Sequence, residues 1–142
     1  MNPGRACISC HASSSGGDDS SGSGDNSGPG GGGESEGARG PLFTIAGTVY
    51  PSAHEPDLCN GADGATTGAT VVIVDAANRI LTLTPNAAGN FFTLAALTTP
   101  LRAKVVYQGR ERIMTVALTT GDCNSCHTQN GANNAPGRIL LP

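Results

Sequence analysis

Two thiols three positions apart, followed at once by a histidine, occur twice in this chain, as Cys7-Ile8-Ser9-Cys10-His11 and as Cys123-Asn124-Ser125-Cys126-His127. The spacing suits covalent attachment of haem c. Both sulfurs add to vinyl groups along one porphyrin edge, and the adjoining imidazole becomes the proximal ligand of the iron. Cys7, Cys10, Cys123 and Cys126 are therefore the expected attachment points of two haems, with His11 and His127 on the irons. Two other chemistries compete for the same residues. Four thiolates, two from each motif, would close a tetrahedral zinc site, which leaves both histidines without a task. Two disulfides or a redox dithiol would call for the βαβ setting of a thioredoxin-like motif, and the sequence shows none.

The remaining axial positions are the next requirement. Two haems with an imidazole on each face need four histidines, and the chain has three: His11, His54 and His127. His54 lies in Tyr50-Pro51-Ser52-Ala53-His54-Glu55-Pro56, a proline-flanked loop that can hold a ring outward on a stiff support, so it is the expected distal ligand, in its own chain or in a neighbour. Met114 is the second candidate, since a thioether opposite histidine gives a haem of higher potential. Its other reading is a core methionine. Cys59 is the fifth thiol, and with the other four committed it has no partner within the chain; it is read as a free, partly buried cysteine or as half of an intermolecular disulfide. Glu55, Asp57 and Asp63 lack the spacing of a calcium loop and are read as a solvated face.

With 142 residues, 37% of them hydrophobic, and with three Phe, two Tyr and no Trp, the chain can fill one modest core of small aliphatic side chains. A net charge of −3 favours neither nucleic acid nor an anionic membrane as partner. No apolar run is long enough to span a bilayer. Haem is normally attached to such motifs after export, so a mature form, or a leader upstream of Met1, is expected, with an extracellular or cell-surface location, or else the periplasm. No nucleophile–base constellation or phosphate loop appears, so an electron carrier rather than an enzyme is expected, its chemistry residing in the cofactor. The competing functions are a haem peroxidase using an iron left without a distal ligand, and a zinc-stabilised binding module.

These ligands must be positioned by the segments between them. Residues 1–11 and 119–142 are the two haem c segments. Between them, residues 12–41 hold a Gly/Ser-rich acidic linker: Ala12 to Gly40 contains eleven Gly, eight Ser and five acidic residues, too little apolar surface to offset the entropy of ordering. Residues 42–118 read as strands. Phe43 to Tyr50 alternates with period two, Ala69 to Val74 is a β-branched run, and Arg79 to Thr84 alternates after a turn at Asp75 to Asn78. Phe91 to Leu94 follows the turn cluster Pro85 to Asn90, and Arg102 to Gln108 meets Arg110 to Leu118 at Gly109. Six short strands predict an all-β antiparallel sandwich of Ig-like shape, with a core of Ile45, Val49, Val71, Ile73, Leu83, Phe91, Leu94, Val105 and Tyr107. Strict up-and-down alternation of six strands gathers both Cys-x-x-Cys-His segments at one end and puts His54 at the other, about 26 Å away along a strand. On that geometry His54 serves a neighbour's haem.

Gly47-Thr48-Val49, Gly68 to Ile73, Asn86 to Phe91 and Ala103 to Tyr107 follow in the order found in carboxypeptidase regulatory-like, transthyretin-like β-sandwiches, and about half the chain resembles that family. The resemblance implies a scaffolding module without catalytic residues of its own. With its flanking motifs, the whole chain resembles exported dihaem c-type cytochromes, including those that polymerise into extracellular electron-conducting filaments. It implies self-association into a homopolymer, and other redox proteins or extracellular electron acceptors as partners.

Overall fold

The computed structural model of the chain describes residues 4–5 and 43–142. Cys7, Cys10, His11 and the linker of 12–41 lie outside the described residues. Among the described residues seven strands make two sheets: β1 (Ile45–Tyr50), β2 (Thr70–Val74), β3 (Ile80–Leu83), β4 (Asn90–Thr93), β5 (Arg102–Tyr107), β6 (Arg110–Ile113) and β7 (Ile139–Leu140). The first sheet has the order β4-β1-β7 and the second β3-β2-β5-β6. A single helical turn, α1 (Gly64–Thr67), precedes β2. Among the described residues no helix is long and apolar enough to cross a membrane.

The two sheets share one core, in which Ile45, Val49 and Phe91 of the first pack with Val71, Ile73 and Val105 of the second. Each such aliphatic or aromatic side chain contributes about 1.5–3 kcal/mol by leaving water. Period two explains the positions that depart from expectation. Phe91 points inward and Phe92 outward, so Leu94 shares the outward face and is 58% exposed. Leu83 packs only partly buried against the core, and Tyr107 is half-buried at the end of β5. Leu101 and Tyr50 are almost wholly buried in addition.

The β2–β3 turn is closed by Asp75, whose carboxylate accepts from the backbone N–H groups of Ala77 at 2.9 Å, Arg79 at 2.8 Å and Thr98 at 3.3 Å. The Arg79 backbone N–H is the main reason its pKa lies below the ordinary aspartate value, and the Arg79 guanidinium at 3.1 Å acts in the same direction.

Three features differ from a simple six-stranded antiparallel sandwich, and each shapes the candidate site. First, β1 is buried at all six positions instead of alternately. Its outer face, Ala46, Thr48 and Tyr50, is covered by chain segments that follow the last long strand or precede Gly47 by some forty residues, among them Asn124, Arg138 and Gly4. Secondly, the C-terminal segment runs beside β1 in the same direction. Asp122 bridges Ala46, and β7 pairs Val49 with Ile139 and Tyr50 with Leu140, all parallel. Thirdly, β6 stops at Ile113 instead of reaching Leu118. Met114 still donates to the Ala103 carbonyl and Leu118 pairs with Leu101, so Thr115, Val116 and Ala117 stand opposite Arg102 alone. The surplus residues bulge away from β5, as extra residues on one strand must.

Candidate functional site

The second Cys-x-x-Cys-His lies on a single 3-10 turn, Cys123–Ser125, stopped by a Cys126 N–H bond to the Cys123 carbonyl at 3.3 Å. Residues three apart on such a turn lie one above the other, so Cys123 and Cys126 present their sulfurs to one side. The neighbouring N–H of His127 also returns to the Cys123 carbonyl, at 2.9 Å, which keeps the histidine within the same turn. Cys123 is buried, with its Sγ 3.6 Å from the Gly121 carbonyl oxygen, and Cys126 is partly buried, its Sγ accepting from Asn133 Nδ2 at 3.5 Å. Gly47 makes the burial of Cys123 feasible. A Cβ there would lie 2.5 Å from Phe91 Cζ and 3.0 Å from Cys123 Cβ, so any larger residue would collide with the Phe91 ring and crowd the turn.

Cys123, Cys126 and His127 line one wall of a cavity of about 540 Å³. Core residues Val71, Phe91 and Val105 and the bulge after β6 also line it. The size falls within the range of small-molecule and cofactor pockets, about 300–1,000 Å³. Ile113 and Val116, 63% and 66% exposed, both line it, so an apolar occupant would cover two side chains that otherwise face water. Met114, half-buried and still bonded to Ala103 at the edge of the bulge, also lines the cavity that holds the second motif.

The histidine tautomers follow from their partners. His127 Nδ1 is 2.8 Å from the Gly137 carbonyl oxygen, and His54 Nδ1 is 2.8 Å from that of Gln129. A carbonyl only accepts, so Nδ1 carries the proton in each ring, and Nε2 of the neutral imidazole keeps a lone pair for a metal. This backbone support of the ring nitrogen away from the metal is the usual means of orienting a ligating histidine.

His54 does not lie at the far end of the sandwich. Because the C-terminal segment runs parallel to β1, it ends beside the loop that follows β1, and that seventh strand removes the premise of six alternating strands. Arg138 N–H donates to the Ala53 carbonyl at 2.7 Å, and a Cβ on Gly137 would lie 3.3 Å from His54 Cε1. Gly137 borders both imidazoles, with φ at +142° where a side chain would be strained. His54 itself is exposed and lines no part of the cavity, so it is not brought together with Cys123, Cys126 and Met114.

Arg138 joins these parts. It is 4% exposed, lies with its guanidinium carbon 4.8 Å from the Tyr50 ring centroid, and donates to the carbonyls of Glu55 at 3.3 Å and Gly4 at 3.4 Å. Burial raises the Tyr50 pKa, and the Arg138 charge opposes the rise. Nothing in motif spacing marks Arg138, Asn124 or Thr48, because the partners of each are distant in sequence. The exposed Cys59 donates its N–H to Asp57 at 2.8 Å.

Among the described residues no three Cys, His, Asp or Glu side chains form a cage for a bare metal ion. The four-thiolate alternative draws half its ligands from Cys7 and Cys10, outside the described residues. No family model, curated protein or solved structure matches the chain.

Proposed function

We propose that the protein is an exported electron carrier with two covalently bound haems c, one held by Cys7, Cys10 and His11 and one by Cys123, Cys126 and His127. The observation that carries the reading is the joint placement of Cys123, Cys126 and His127 on one apolar cavity, with the His127 tautomer leaving Nε2 free. Haem supplies one-electron iron chemistry, and the chain supplies position, exclusion of water and axial ligands. Cys123 and Cys126 would hold the haem covalently, the apolar lining with Val116 would keep water from it, and His127 and Met114, which line the same cavity, would supply its ligands. His54 then belongs to the first haem of the same chain, since Arg138 binds the carbonyls of both Glu55 and Gly4, the latter three residues before Cys7. Three histidines and one methionine would then supply the four side-chain ligands that two such haems need. The transthyretin-like resemblance of the strand segments is read as the scaffold of this carrier.

The reduced spectrum in alkaline pyridine tests the reading. It is expected to show c-type haem at two per chain that resists extraction by acidified solvent. Extractable haem, or none, would overturn it.

The carrier is further read as self-associating into a homopolymer at the cell surface, where other redox proteins or extracellular acceptors take its electrons. Ile80 and Leu94, 68% and 58% exposed and apart from the cavity, are apolar surface that a subunit contact would cover. Sedimentation of the haem-loaded chain is expected to show species that grow with concentration. A monomer at every concentration would remove this part of the proposal while leaving the carrier intact.

A further inference from the structure

At the centre of the first sheet lies a polar cluster that the account of haem attachment does not use. Thr48, Asn90 and Asn124 are 1%, 2% and 2% exposed, on β1, on β4 and between the two cysteines of the second motif. Buried polar side chains are retained at a cost unless their hydrogen bonds are satisfied, and here they are. The Asn124 Oδ1 accepts the Thr48 backbone N–H at 3.0 Å. Its Nδ2 donates to Thr48 Oγ1 at 3.0 Å and to the Arg5 carbonyl at 2.9 Å. Thr48 Oγ1 donates in turn to Asn90 Oδ1 at 2.7 Å and accepts from the Gly4 N–H at 3.0 Å. The Thr48 hydroxyl has one hydrogen and two lone pairs, and all three are engaged. The Asn124 amide has one permitted orientation, because the Thr48 N–H needs an acceptor and the Arg5 carbonyl needs a donor.

The cluster joins two parts of the chain more than a hundred residues apart. Asn124 stands between Cys123 and Cys126, and Arg5 stands two residues before Cys7. Two residues reach at most about 7 Å, so a bond from Asn124 to Arg5 anchors the entry to the first motif directly on the second. Electron transfer between two haems depends steeply on their separation and mutual orientation, so a group that ties their attachment segments together governs both.

We infer that Asn124, supported by Thr48 and Asn90, is a positioning residue that sets the spacing of the two haem-attachment segments and hence the coupling between their haems. The inference rests on the two-haem reading proposed above. Asn124 takes this role through the second position of its motif, which haem attachment leaves free to vary.

Asn124→Asp is the first test. It keeps size and the acceptor for the Thr48 N–H, but it loses both donors and faces the Arg5 carbonyl with a carboxylate. Two haems in one rigid frame give a two-signed circular-dichroism couplet in the Soret region, whose amplitude reports distance and orientation. The parent protein is expected to show it. Asn124→Asp, with two haems per chain by mass and unchanged axial-ligand spectra, is expected to lose most of the couplet, and Asn124→Gln to recover less than the parent. Thr48→Val keeps shape and leaves the Asn124–Arg5 bond, so it should show an intermediate loss and serves if the first variant does not fold. A full couplet in either folded, doubly loaded variant would overturn the inference while leaving the carrier standing. A parent chain without two haems would instead overturn the reading beneath it.

Discussion

A chain carrying Cys123→Ala together with Cys126→Ala is expected to hold one covalent haem where the parent holds two. The substitution removes the two sulfurs that share one side of the 3-10 turn and one wall of the cavity. It need not disturb the fold. The turn is held by backbone bonds from Cys126 and His127 to the Cys123 carbonyl, by Asn124, and by the Ala46 bridge to Asp122, and the substitution removes long sulfur contacts to the Gly121 carbonyl and Asn133. Alanine fits where Cys123 meets Gly47 and Phe91, because only the Sγ is deleted. Haem measured per chain in alkaline pyridine should fall from two to one, with the survivor attached at Cys7 and Cys10. Retention of both haems would show that the second motif is not an attachment site, and loss of both would show that the sites do not load independently.

Substitution of Met114 by leucine is expected to change one haem and spare the other. The swap conserves volume and should cost under about 1.5 kcal/mol in stability. It removes the thioether of a residue that lines the cavity of His127 just ahead of the bulge at Thr115 to Ala117. A haem with His/Met ligation shows a weak far-red sulfur-to-iron absorption in the oxidised state and a raised potential. Both should be lost together in Met114→Leu. The potential of that haem is expected to drop on the order of 0.1 V, within the roughly 0.8 V range that axial ligands command. His54→Ala should leave the far-red band in place and turn the other haem high-spin. If Met114→Leu leaves spectrum and potential unchanged while His54→Ala alters the haem at His127, the assignments of the two distal ligands are reversed. If dilution alone produces the high-spin signal of His54→Ala, His54 serves a neighbouring chain.

The candidate attachment residues stood out because the proposed chemistry demands fixed types at fixed spacing, and the structure brings Cys123, Cys126 and His127 to one cavity. Strands were legible for a similar reason. Val71 and Ile73 alternate with Val72 and Val74 across a sheet, and Asp75 closes the turn through backbone bonds made within four residues of itself. The long-range arrangement was not legible. The pairing of β7 with β1 rests on two residues, Ile139 and Leu140, with no alternation to announce them. That pairing brings His54 beside Gly137 rather than to the opposite end. The bulge after β6 was hidden as well, since Met114 to Leu118 is apolar enough to read as strand, and only Leu101 bonding to Leu118 shows that residues are in surplus. Asn124 and Arg138 escaped because their partners, among them Thr48, Tyr50 and the Arg5, Glu55 and Gly4 carbonyls, lie more than seventy residues away in sequence and follow no motif spacing.

The mass of the intact protein, isolated from cells able to export and mature it, tests the central claim most directly. The account predicts the polypeptide mass plus two covalent haems, retained under denaturing conditions that strip every non-covalent ligand, with fragments placing one haem on Cys7 and Cys10 and the other on Cys123 and Cys126. A denatured mass equal to the bare polypeptide, with one zinc ion bound to the native protein, would contradict it.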